Sequence, residues 1–74
     1  MPLIEVKVIE NVFSTDQKKQ MIEKLTDTLI ELEGEHMRDV TVVTVEEVKS
    51  GSWGFGGNAI TTADVAALKA AAGA

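Results

Sequence analysis

Met1-Pro2-Leu3-Ile4-Glu5-Val6-Lys7-Val8-Ile9-Glu10 is the stretch from which the fold is read. Leu3 to Ile9 is rich in β-branched and apolar residues, the composition of a strand. Proline at a strand's first position has no ladder donor to lose, so Pro2 is tolerated there. Side chains alternate across a strand. Pro2, Ile4, Val6 and Val8 therefore share one apolar face, expected to meet a helix. Leu3, Glu5, Lys7 and Ile9 share a mixed face, expected to be partly covered by a neighbouring subunit. Pro2 is also the only proline in the chain. Aminopeptidases usually remove a methionine that precedes a small residue. Removal of Met1 would leave a secondary amine, a base, rigidly mounted on a strand end. Read alone, Pro2 is more simply a plain strand-start proline, and only the rest of the chain favours the amine.

Outward from this strand, Ser14 and Gln17 form a capping-box pair, and Asp16 suits the positive end of a helix dipole. Met21, Ile22, Leu25, Leu29 and Leu32 recur at three- and four-residue spacing and predict a helix from about Thr15 to Glu33. Gly34 is expected to end it in the left-handed conformation. Glu35 to Asp39 reads as a short connection, and Val40 to Glu47 as a second strand. Strand, helix, strand is a βαβ unit, so the two strands are expected to be parallel with a right-handed crossover. Ser50-Gly51-Ser52-Trp53-Gly54-Phe55-Gly56-Gly57 reads as a glycine-rich loop or hairpin carrying two aromatics. It follows the wrong kind of segment to be a dinucleotide fingerprint. Asn58 to Ile60 is a candidate short strand. Thr61 or Thr62 caps a last, alanine-rich helix over Ala63 to Ala72, which has little to bury.

Seventy-four residues make one small domain, residues 1–74. A core of that size is marginal unless something staples it. There is no cysteine and a single histidine, His36, so neither a disulfide nor a zinc cluster is expected. Oligomerisation is the remaining staple, and a hydrophobic content of 45% supports it. Twelve acids against seven bases give a net charge of −5. That disfavours nucleic acid and anionic membranes as partners, since both need basic patches. No stretch approaches the ~20 apolar residues of a membrane span, and the start lacks a signal-peptide layout. A cytoplasmic protein is the expectation. His36 sits beside Glu35 as a solvated loop residue and has no placed partner for a Ser–His–Asp site. Glu46 and Glu47, adjacent on a strand, face opposite ways and cannot share a substrate.

Three segments together resemble the short-chain 4-oxalocrotonate tautomerase family of the tautomerase superfamily. They are Met1-Pro2-Leu3-Ile4, Asp16-Gln17-Lys18 and Gly51-Ser52-Trp53-Gly54-Phe55-Gly56-Gly57. The resemblance covers roughly Pro2 to Gly57. It implies an α+β fold: a β-α-β protomer with a C-terminal glycine-rich hairpin and short helix. The sheet is completed in a dimer, and three dimers form a homohexamer. It implies an isomerase without cofactor or metal, in which the Pro2 amine moves a proton in a small keto or enol acid. The family's pocket aromatic falls on Trp53, and Ile9 and Phe55 are candidates for the same apolar wall, drawn from other subunits. An α-amino group ordinarily titrates at about 7.7–8.0. A prolyl amine is more basic, and apolar burial lowers it toward the working pH. The family's two substrate-binding arginines have no direct counterpart. One position falls in the turn Asn11-Val12-Phe13, the other on Thr41. Arg38, three residues upstream of Thr41, is carried as the candidate substrate-binding cation. An odd separation along a strand, however, puts the two on opposite faces. For Arg38, Lys7 and Lys49 alike, a surface charge is the simpler reading. A monocarboxylate substrate therefore fits better than a dicarboxylate. The alternatives are hydration, dehalogenation or decarboxylation of an unsaturated acid, or a non-catalytic oligomer that binds a ligand or protein.

Overall fold

The structure, a computed structural model, describes residues 1–73, with side chains to Ala71. The last residue of the expected domain, Ala74, lies outside the described residues. In chain order the elements are β1 (Leu3–Ile9), α1 (Thr15–Glu33), a 3-10 helix (Glu35–Val40), β2 (Val42–Val48), β3 (Trp53–Phe55), β4 (Asn58–Ile60) and α2 (Thr62–Gly73). This is the mixed α+β, β-α-β architecture that the sequence predicts. β1 pairs with β2, and β3 with β4. The Val42 amide donates to the Pro2 carbonyl at 3.0 Å and the Glu10 amide to the Val48 carbonyl at 2.8 Å. Start meets start and end meets end, so β1 and β2 are parallel, with Val42 opposite Leu3 and Val48 opposite Ile9.

The chain forms two compact units, Met1–Val6 with Ser14–Glu46, and Lys7–Phe13 with Glu47 onward. In the first, α1 begins as its capping box dictates. The Gln17 amide donates to Ser14 Oγ at 3.1 Å, and the Ser14 amide donates to Gln17 Oε1 at 2.9 Å. Ile30 is the buried residue of this helix, at 7% exposure, with Met21, Leu25 and Leu29 half-buried. Ile22 and Leu32, expected on the inward stripe, are exposed, Leu32 to 83%. The stripe is thus turned toward Ile30. Gly34 donates its N–H to the Ile30 carbonyl at 2.8 Å, but its angles (φ 101°, ψ 151°) are mirror-extended, not left-handed helical. A side chain there would meet the His36 ring at 2.9 Å. The expected connection is a 3-10 helix that runs through Val40, so β2 starts two residues later than the sequence predicts. The Thr41 amide closes this helix on the Arg38 carbonyl at 3.2 Å. The Thr41 hydroxyl lies 2.8 Å from both the Met37 carbonyl and Glu33 Oε1.

In the second unit, β3 and β4 form a hairpin with Trp53 opposite Ile60 and Phe55 opposite Asn58. Its two-residue turn is Gly56-Gly57, at φ 56° and 85°. Two successive positive φ angles define the turn that matches the natural twist of a hairpin, and glycine meets them without strain. α2 is capped by Thr61. The Asp64 amide donates to the Thr61 hydroxyl at 3.2 Å, and the Thr61 amide donates to the Asp64 carboxylate at 2.9 Å.

Candidate active site

A cavity of about 320 Å³ lies within the second unit. Three of its walls follow directly from local structure. Residues two apart on a strand share a face, so Trp53 and Phe55 are presented together by β3. Ile9, the last residue of β1 and 5% exposed, forms a second wall. Val12 and Phe13, from the turn that follows, form a third. α2 contributes Val65, Leu68 and Lys69. The lining is apolar almost throughout. Its cationic members are Lys7 and Lys69, and the Lys69 ammonium sits 5.2 Å from the centre of the Phe13 ring. An ammonium over an aromatic face is held by the ring quadrupole.

The segments around this cavity are joined through Glu10 and Ser50. The Glu10 carboxylate accepts the Ser50 amide at 2.6 Å, and the Glu10 carbonyl accepts the Thr62 hydroxyl at 2.8 Å. Ser50 Oγ in turn accepts the Thr62 amide at 2.9 Å. Asn11 adopts φ 61°, which the short polar side chains tolerate best, and its amide donates to Glu47 Oε2 at 3.1 Å. A second, more open cavity of about 260 Å³ lies against the hairpin, bordered by Ser52, Trp53 and Asn58.

Of the residues singled out from the sequence, Ile9, Trp53 and Phe55 come together on this cavity. Pro2 and Arg38 belong to the first unit and are not among its lining residues. Pro2 is half-buried, and its carbonyl is fixed by the Val42 amide. Arg38 donates from Nε to Glu35 Oε1 at 2.6 Å, from Nη2 to Glu35 Oε2 at 3.2 Å and from Nη1 to Asp27 Oδ1 at 2.8 Å. The bidentate pair holds the Glu35 carboxyl below its usual range, and both carboxylates keep the guanidinium protonated. Phe13, Val65, Leu68 and Lys69 are lining residues that the sequence did not reveal. The one available signal was Phe13, an aromatic in a chain with few. Among the described residues there is no group of three or more carboxylates or histidines able to hold a metal ion. No helix there is long and apolar enough to cross a membrane.

Residues 2–63 match the family profile described as "Tautomerase enzyme". The chain belongs to the tautomerase family. Among curated relatives, it is 33% identical over 61 residues to a probable tautomerase K2 of Dickeya dadantii, covering 82% of this chain and 90% of the relative. It is 34% identical over 62 residues to a probable tautomerase of Helicobacter pylori, covering 81% and 90%. Among solved structures, it is similar to one from a study of the 4-oxalocrotonate tautomerase isozymes of Methylibium petroleiphilum. That match has a TM-score of 0.69 and 27% identity, and covers 78% of this chain and 90% of that one. DmpI from Helicobacter pylori is similar at the same TM-score of 0.69 and 29% identity, with 80% and 95% covered. Membership in this tautomerase family supports tautomerase-type, isomerase activity. Within the family match lie Ile9, Phe13, Trp53 and Phe55, whereas Val65, Leu68 and Lys69 fall beyond its end at residue 63.

Proposed function

We propose that this tautomerase moves a proton within a small enol or 2-keto acid, with the amine of Pro2 as general base once Met1 has been removed. The observation that carries this reading is the family match itself, which begins on Pro2. Met1 is 89% exposed, open to an aminopeptidase. The hydrogen bond from Val42 to the Pro2 carbonyl anchors the residue whose nitrogen does the chemistry. The base takes a proton from the substrate's enol oxygen or carbon and returns it to the conjugated carbon, so the keto–enol double bond moves and no cofactor is consumed. Apolar surroundings depress an amine's pKa by desolvating the ammonium, which brings the base toward neutrality.

The apolar surroundings are Ile9, Trp53 and Phe55, supplied to each Pro2 by another copy of the chain. Pro2 precedes β1 and Ile9 is its last residue, so one chain carries the two at opposite ends of a strand. Pairs of protomers complete the sheet, and three pairs assemble into a cytoplasmic homohexamer. Arg38 spends three of its five N–H donors on Glu35 and Asp27 and keeps two for a substrate oxygen.

The test is steady-state turnover of phenylenolpyruvate and of 2-hydroxymuconate by the processed protein and by Pro2→Ala. The monocarboxylate should give the higher kcat/KM. Pro2→Ala should lower its rate by about two to four powers of ten, the span of a positioned acid–base group. It should leave a residue of activity, because alanine also presents an amine. Unchanged turnover in Pro2→Ala rejects the proposal.

A further inference from the structure

We infer that the 320 Å³ cavity is a binding site for a small organic monocarboxylate with an apolar body, and that Lys69 of α2 takes its carboxylate. The inference deepens the reading above, since it shares Trp53 and Phe55 with it, but it is argued from the cavity alone. The volume is at the lower end of ordinary ligand sites, about 300–1,000 Å³. The walls are apolar and include no carboxylate. Such a cavity gains from an apolar occupant and penalises a charge buried within it.

What the cavity does have is an ammonium group at an aromatic wall. Lys69 helps to line it, and its Nζ lies over the Phe13 ring, 5.2 Å from the ring centre. Long cationic side chains commonly lie this way, stem on apolar surface and head in water. The ring restrains the ammonium through its quadrupole and accepts none of its hydrogens in a conventional hydrogen bond. Three N–H donors are left for an anion. Among the described residues, the Lys69 ammonium has no carboxylate partner of its own. Lys7 is the other cationic residue of the lining. An ammonium held on an aromatic wall of an otherwise mainly apolar lining suits an aryl or alkyl acid with a carboxylate at one end. With its carboxylate on Lys69, the rest of the ligand meets walls that are otherwise mainly apolar.

The experiment uses the chain's only tryptophan as its reporter, because Trp53 lines the cavity. Trp53 emission is titrated with 3-phenylpropanoate and with its neutral amide in the full chain, in Lys69→Gln and in Lys69→Arg. Lys69 is exposed, so neither substitution disturbs a core. We expect Lys69→Gln to weaken the acid roughly five- to tenfold, between the values of an exposed ion pair and a charged hydrogen bond. Lys69→Arg should retain the acid's affinity, and the amide should bind all three alike. Three results overturn the inference: no saturable change in emission, equal affinity of the acid for Lys69→Gln and the parent, or equal loss of acid and amide. Turnover of Pro2→Ala tests the base separately. Retained turnover there removes the Pro2 mechanism and leaves Lys69 binding standing, whereas a silent Lys69→Gln removes only the present inference.

Discussion

Trp53 and Phe55 face one way because they alternate with Gly54 on β3, and both line the apolar cavity. Truncating Trp53 to alanine removes a large apolar wall. At roughly 25 cal/mol per Å² of buried apolar surface, kcat/KM should fall about tenfold or more, while sedimentation shows the assembly unchanged. Arg38 offers a contrast. Its ion pairs are with exposed carboxylates, and such pairs add little to stability. Arg38→Ala should therefore leave the thermal midpoint nearly unchanged. If its remaining donors hold a substrate oxygen, kcat/KM should drop about tenfold, the worth of one hydrogen bond to a charged group. Trp53 and Phe55 were legible in the sequence because flanking glycines set two of its few aromatics in one motif. The pairing of Phe13 with Lys69 was not. The two are remote in sequence, and α2 is alanine-rich, a composition that argues for little burial. No local signal reports that one of its lysines meets an aromatic turn.

At the scale of elements, the legible parts are those decided by neighbours in sequence. The α1 span and its capping box follow from Ser14, Gln17 and the apolar spacing, and the hairpin turn from Gly56-Gly57. Gly57→Val would place a β-branched residue at φ 85°. Left-handed angles cost an ordinary residue roughly 1–2 kcal/mol, and a branched one at least that, so a matching loss of unfolding free energy is expected in urea. The start of β2 was misplaced for a non-local reason. Val40 and Thr41 are β-branched, yet Thr41 bonds back to the 3-10 helix, and pairing starts only where Val42 reaches Pro2. The α2 cap makes a pH prediction. Hydrogen bonds from the Thr61 amide, and then from its hydroxyl, hold the Asp64 carboxyl below its ordinary value. A carboxyl with a depressed folded pKa contributes stability above its unfolded value, near pH 4, and loses it as pH falls through the folded one. Helical circular dichroism of the parent should decline below about pH 4. Asp64→Asn should start from lower stability and show a shallower decline. Parallel acid profiles for the two would show that the cap is not linked to folding.

For the whole molecule, the decisive observation is how little one chain buries. Among the described residues, only Ile9 and Ile30 are buried apolar side chains, while Leu32 and Leu3, neither of them a lining residue of the cavity, are 83% and 56% exposed. From a hydrophobic content of 45% with so small an interior we infer that the chain buries further apolar surface against copies of itself. Sedimentation at micromolar concentration should therefore show an oligomer, with no stable folded monomer on dilution. The sequence raises the same expectation through its length, its lack of cysteine and its apolar content. Which apolar residues remain uncovered could not be read from it, because Leu32 has the same helical spacing as its half-buried neighbours. The central claim is that the prolyl amine is the base. It is tested most directly by the initial rate of phenylenolpyruvate ketonisation in two samples of one sequence, distinguished by intact mass. One has lost Met1, and the other retains it and so has Pro2 as an amide. The account predicts that the processed sample is faster by at least about two powers of ten. Equal rates in the two samples would contradict it.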